Sequence, residues 1–266
     1  MTTVRPWVRF LGELFLIVGL FFVYKLGRRA AIGHEDAAFA NAHRVWDLER
    51  ALRLPDEASV QRLVLHSETL VRAINYFYAT VHFPAIVVFL LWIYFWRNEH
   101  YRWIRNAIIG MTGAGLVLHV LVPLAPPRML QGVGLIDTGN VYGPRVYQSP
   151  QADGVNNQFA AMPSLHVGWA LLIAVGLIAA TRARWRWLWL LHPAVTTFVV
   201  VATANHYWLD GIVGCALLGL AMLLPPVRKA RNSQKQEPRA LNRDLVAAAA
   251  PRAAEPEEDQ AQAEHR

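Results

Sequence analysis

One cysteine, Cys215, stands in 266 residues. No disulfide can form within the chain, and a thiol inside an apolar run reads as a buried one. Charge is scarce as well: 17% of residues are Asp, Glu, Lys or Arg, against 55% hydrophobic. That balance is too apolar for an ordinary soluble domain. There is no glycine-rich nucleotide loop and no internal repeat, so neither a phosphate-cradling loop nor a repeat architecture has a footing. Acidic residues are outnumbered, 19 against 26 basic, for a formal net charge of +7. The excess does not gather into a nucleic-acid patch; it sits at the ends of apolar segments.

Those segments carry the fold expectation. Residues 8–24, 74–96, 104–124, 165–180, 187–203 and 209–224 are strongly apolar, and a bilayer crossing takes roughly 20 residues. Lipid cannot satisfy open backbone groups, so the expected form is helical. An all-α, polytopic membrane protein with six transmembrane helices follows. Arg97, Arg102 and Arg105 fill one inter-span turn; Arg182, Arg184 and Arg186 fill another. Arg228, Lys229, Arg231 and Lys235 follow the last span. These alternate turns share one face, which the positive-inside rule makes cytoplasmic, along with the C-terminus. Trp92, Trp96, Trp103, Trp185, Trp187 and Trp189 crowd the same level as an aromatic belt. Residues 27–73 vote the other way with seven arginines, offset by seven acidic residues.

Four regions are expected. Residues 1–26 form a transmembrane anchor: no small-x-small cleavage site follows Tyr24, and Lys25, Arg28 and Arg29 come instead. Residues 27–73 form amphipathic interfacial helices. Val45, Leu48 and Leu52 recur at helical spacing, as do Val60, Leu63, Val64, Leu70, Val71 and Ile74. Pro55 breaks the pair and Asp56 caps its second member. Such a pair either guides lipid at the outer leaflet or covers the bundle. Residues 74–227 form a catalytic transmembrane core. Residues 228–266 turn polar, end in an acidic run, and are expected to be a disordered cytoplasmic tail.

Three polar motifs fall on the outer face of this scheme. Ala125-Pro126-Pro127-Arg128 ends the third span, Met162-Pro163-Ser164-Leu165-His166 opens the fourth, and Asn205-His206-Tyr207-Trp208-Leu209-Asp210 turns between the fifth and sixth. Ionisable groups at membrane depth are costly and usually face a cavity with a task. Their types suit phosphoryl transfer. Pro163 is placed to start a helix whose N-terminus binds an anion, with Ser164 adding a donor and Arg128 a bidentate grip. His206 can attack phosphorus while Asp210, four residues on, holds its tautomer. His166 can protonate the leaving alcohol. Two histidines and a carboxylate also suit zinc, but Ser164, Arg128 and the helix start point to an anion, so no metal or cofactor is expected. His82 and His119 are expected as helix-contact residues. Tyr142, Arg145 and Asn157, in the loop after the third span, are candidate substrate contacts.

Pro163-Ser164-Leu165-His166 and His206-Tyr207-Trp208-Leu209-Asp210 resemble the two motifs of the type 2 phosphatidic acid phosphatase superfamily, Pro-Ser-x-His and His-x-x-x-Asp. The wording around them, with Ala125–Arg128 and Asn205-His206-Tyr207, looks most like its inositolphosphotransferase branch, which includes inositol phosphorylceramide synthase. The resemblance covers roughly residues 74–224. It implies a six-helix membrane bundle with His206 as nucleophile, Asp210 as its orienting partner, His166 as acid/base, and Ser164 and Arg128 on the phosphate. Leu121 and Val200 stand where the phosphatase pattern has a lysine and an arginine, a departure that fits the transferase-like branch. The expected function is therefore a lipid phosphatase or phosphotransferase in the cytoplasmic membrane, acting on a phosphorylated lipid from outside. Alternatives are a plain phosphatase using water on phosphatidate or a polyprenyl diphosphate, and a non-catalytic lipid carrier or scaffold. The expected partners are lipid phosphate and membrane lipids, not nucleic acid.

Overall fold

The computed structural model describes residues 34–144 and 158–223, with Leu11, Gly12, Glu13, Phe15, Gly19 and Phe22. The described residues are helical and contain no strand; a lone parallel bridge pairs Leu124 with Ala160. In chain order the helices are α1 (Glu35–Ala51), α2 (Glu57–Leu65), α3 (Glu68–Thr80), α4 (His82–Trp96), α5 (Asn98–Leu121), α6 (Thr138–Tyr142), α7 (Leu165–Ala180), α8 (Leu191–Ala202) and α9 (Trp208–Leu223). Short polar side chains start several of them. Asp56 accepts the Ser59 N–H at 2.9 Å, the cap expected after Pro55. Ser67 does the same for α3 through the Leu70 N–H.

The six-span scheme meets three departures. Among the described residues α5, with 24 residues, is the one helix long and apolar enough to cross a bilayer alone. The expected 74–96 span is two helices, α3 and α4, bent by 45° at Val81, and α3 begins earlier, at Glu68. The 187–203 span opens as a 3-10 turn, Arg186–Leu190, before α8. The segments 165–180 and 209–224 match α7 and α9 closely. The 8–24 span, apart from the isolated residues named, and the 228–266 tail lie outside the described residues. Glu13 of that first stretch is held by Arg105 Nη1 at 2.6 Å and by the Tyr101 hydroxyl.

At the centre α7 is packed by α4, α5, α8 and α9, around Ile93, Ile104, Met111, Leu172 and Leu218. Helices α4, α7, α8 and α9 contain one charged residue between them, Asp210, and it is fully buried. Apolar side chains such as Val87, Val88, Leu91, Ile212 and Leu220 are exposed instead. On these four helices the one charged side chain is inside while large apolar side chains face outward.

Helices α7 and α9 meet at glycine. A Cβ on Gly214 would lie 2.5 Å from the Ser164 carbonyl oxygen, and main chain cannot swing aside as a side chain does. Gly214→Ala is therefore expected to cost about 1–3 kcal/mol of stability, the usual scale for overpacking. Denaturant unfolding in detergent measures it, and unchanged stability would show that the helices separate freely there.

α1 and α2 lie on the bundle rather than apart from it. α2 packs against α8. Ala38 and Ala42 of α1 join Leu124, Ala125, Phe159 and Tyr207 in one apolar cluster. Asn41 donates to the Pro123 carbonyl at 2.9 Å, and the Ala38 carbonyl accepts the Ala125 N–H.

Candidate active site

The turn between α8 and α9 shapes the site. Ala204 adopts a left-handed φ of 53°, a conformation rare for a residue with a side chain outside tight turns. It lets the Asn205 and His206 N–H groups both donate to the Val200 carbonyl, at 3.0 and 3.2 Å. The chain then enters α9 with His206 buried. Asp210 sits in the first turn of α9, and its Oδ2 accepts the Tyr207 N–H at 2.9 Å. A carboxylate here reaches back to the amide before the helix, satisfying a donor the helix leaves open.

The same Oδ2 lies 3.2 Å from His206 Nδ1, and the Ala161 carbonyl lies 2.9 Å from that nitrogen. Two acceptors on one ring nitrogen require a proton there. Nδ1 is therefore an N–H.

The first motif reaches this histidine through main chain. The Leu124 N–H donates to Phe159 O at 2.9 Å, and the Ala161 N–H to Leu124 O at 3.2 Å. This pairing carries the Ala161 carbonyl to His206. Ser164, fully buried, is the N-cap of α7: its Oγ accepts the Val167 N–H at 3.4 Å, and its own N–H donates to the Asp210 carbonyl at 2.9 Å. The expectation that Pro163 opens the helix is corrected. A cap residue needs extended backbone, which Ser164 supplies at ψ 100°, so Pro163 stands before the cap. His166, in the first turn of α7, lies 5.5 Å from His206 between ring centroids. It also stacks on Tyr78 at 4.7 Å.

Arg128 is tied to the same turn. Its N–H donates to Ala204 O at 3.0 Å, Nη1 donates to Asn205 Oδ1 at 2.6 Å, and Nε lies 3.4 Å from Asp137 Oδ2. Asn205 Nδ2 in turn donates to Thr203 Oγ1. The structure thus gathers His206, His166, Asp210, Ser164 and Arg128 in one neighbourhood. Tyr142 ends α6 and packs against the cluster containing Val64, Val71 and Val199. Arg145 and Asn157 lie outside the described residues.

A family model described as the PAP2 superfamily matches residues 43–224. The chain belongs to the PAP2 superfamily. Membership brings the superfamily's general phosphatase or phosphoesterase chemistry, of lipid phosphatase type, and its common association with membranes. The PAP2 match begins at residue 43, within α1, so the second half of α1 and all of α2 fall inside the matched region. No curated protein and no solved structure gives a match.

Several residues of this PAP2 site escaped sequence reasoning. His82 is more than a helix contact: it stacks on Trp169 at 5.1 Å and lies 4.5 Å from His166. His192 lines the small pocket beside them with Tyr78, Thr196 and Val199. The bend at Val81 turns His82 toward that pocket, and no local pattern announces the bend. His119 Nε2 meets the Pro163 carbonyl at 3.2 Å, a helix contact as expected, made to the first motif. Glu49 and Glu57 are fully buried beneath the start of α9. Glu49 shares the face of Ala38 and Ala42 on α1, a spacing that was there to be read.

Proposed function

We propose that the protein is an integral membrane lipid phosphatase or phosphotransferase working through a phosphohistidine on His206. The observation that carries this reading is the pair of acceptors on His206 Nδ1, Ala161 O and Asp210 Oδ2. They leave the Nε2 lone pair for phosphorus and stabilise the positive charge that grows on the ring. In the first step the Nε2–P bond forms and the P–O ester bond breaks. His166 gives its proton to the departing alkoxide. In the second, His166 takes a proton from the incoming hydroxyl, whose oxygen bonds phosphorus as the N–P bond breaks. Arg128 and the capped start of α7 hold the phosphoryl oxygens.

The membrane setting is supported by the inverted distribution of polar and apolar side chains and by α5, whose 24 residues reach across a hydrocarbon core of about 30 Å. Six spans, with the site outward and the C-terminus in the cytoplasm, remain the topology the basic turns favour. The inositolphosphotransferase-like branch is favoured by what stands at 121 and 200. Leu121 is exposed at the end of α5, and Val200 is buried, with its carbonyl serving the His206 turn. Neither position brings a cation to the phosphate, so the site carries less positive charge than a general phosphatase pattern provides.

A panel of lipid phosphates, given to purified protein with and without inositol or a lipid alcohol, tests the reading. Released phosphate and new phospholipid are both followed, in strong chelator. Transfer is expected to divert phosphorus into new phospholipid when the alcohol is present. Phosphate release that ignores the alcohol assigns water as acceptor, and loss of all turnover in chelator overturns the metal-free mechanism.

A further inference from the structure

α1 and α2 bury two carboxyls that the proposed chemistry does not use. The Glu49 and Glu57 side chains are both fully buried. A buried carboxylate is costly without donors, and two adjacent ones need a counter-charge or a proton. Partners account for half of their oxygens. Glu49 Oε1 accepts the Leu209 backbone N–H at 2.7 Å, and Glu57 Oε2 accepts Arg50 Nη2 at 2.7 Å. Glu49 Oε2 and Glu57 Oε1 have no donor among the described residues. Arg50 Nη2 stands 3.9 Å from Glu49 Oε2 and is engaged with Glu57. Both carboxyls therefore crowd the same Arg50 nitrogen. One proton between them supplies the missing donor and removes one of the two charges.

The pair sits under the helix that carries the nucleophile's partner. Leu209 lies between Trp208, whose indole N–H donates to Pro55 O at 2.8 Å, and Asp210, whose Oδ2 faces His206 Nδ1. α1 and the turn into α2 therefore grip two consecutive residues of the first turn of α9, and the next residue is Asp210.

We propose that Glu49 is a positioning residue for the His206–Asp210 pair: it shares a proton with Glu57, caps the start of α9, and keeps a second negative charge away from the Asp210 carboxyl. The role rests on the phosphohistidine reading above. Burial, and then the facing Glu57, push Glu49 from its ordinary 4.5 up to about 9. The charged and titratable groups around it are Arg50 on its own helix, Asp56 and Glu57 from α2, and Tyr207 and Asp210 at the start of α9. Arg50 is the cation of this set, and it is committed to Asp56 and Glu57, at 3.0 and 2.7 Å. Above the Glu49 transition one more carboxylate joins this neighbourhood with no cation left to face it.

Glu49→Gln reproduces the protonated acid, accepting from Leu209 and donating to Glu57; Glu49→Ala removes both bonds. Two measurements on the full-length protein in detergent decide the matter. The first is unfolding temperature against pH for wild type and Glu49→Gln. Between about 5 and about 9 the native wild type keeps a proton that the unfolded chain releases, so its stability falls with rising pH. Its unfolding temperature is expected to drop relative to Glu49→Gln across that range; parallel profiles overturn the shared proton. The second is kcat and KM on phosphatidate in mixed micelles. Glu49→Ala is expected to lose roughly 10- to 100-fold in kcat, as for outer partners of metal ligands, with KM little changed. Glu49→Gln recovers most of that loss and lacks the wild-type decline above pH about 9. Wild-type kcat in Glu49→Ala, or an unchanged alkaline limb in Glu49→Gln, overturns the positioning role. His206→Ala is run beside them. Turnover in that variant sinks the phosphohistidine reading, while the unfolding profiles still decide the state of Glu49.

Discussion

Replacing His206 with alanine is expected to lower kcat by on the order of 10⁴-fold or more, the scale seen when a covalent nucleophile is removed. The size follows from geometry. His206 Nδ1 is committed to Ala161 O and Asp210 Oδ2, so the ring presents Nε2 as its one nucleophilic atom, and alanine leaves nothing to bond phosphorus. Binding of the lipid phosphate should change little, because Arg128 is held by Asn205 and Asp137 and the start of α7 by Asp210 main chain. Vesicle binding and turnover, measured on the same preparation, separate these quantities. A non-catalytic carrier keeps its lipid transport in the variant, whereas an enzyme of this type keeps binding and loses turnover. Full turnover in His206→Ala would sink the mechanism.

Replacing His166 with alanine is expected to cost about 10²–10⁴-fold on a lipid phosphate with an ordinary alcohol leaving group. The cost should depend on the leaving group. p-Nitrophenol departs without a proton, so forming the phosphohistidine is largely spared with a p-nitrophenyl ester. Resolving it still needs His166 as base. Nitrophenolate should then appear as a burst of about one equivalent, and phosphorylated protein should accumulate. Rapid-quench kinetics and an acid-labile phosphoprotein measure the two. Equal losses on both substrates, with no burst, would reduce His166 to a packing member of its stack with Tyr78 and His82.

The parts of this site that could be read in the chain are those set by local spacing. His206 and Asp210 share a helix face because they are four apart, and Ser164 precedes an apolar run whose end, Ala180, also matches. Asp56 caps α2 because aspartate after proline does so with little help from the rest of the fold. What stayed hidden is long-range or carried by main chain. The Ala161 carbonyl reaches His206 across 45 positions, and any residue at 161 has a carbonyl. Glu49 meets Leu209 across 160 positions. Charge is scarce in the bundle helices, but the two carboxyls that sit in the interior belong to α1 and α2, where charged residues are common. The bend at Val81 was hidden for another reason: the apolar run from Ile74 to Trp96 is unbroken while the axis turns by 45°.

The Ser164 amide bonded to the Asp210 carbonyl, with Gly214 pressed against the Ser164 carbonyl, bears on which substitutions this chain tolerates. The two motifs are joined through main-chain atoms that every amino acid but proline possesses, so their spacing survives many changes of neighbouring side chain. The tolerance ends where a side chain would enter the seam itself. A saturation map of activity should therefore rank position 214, which this mechanism gives no contact with substrate, beside 206 and 210. There selection would act on an absence of atoms.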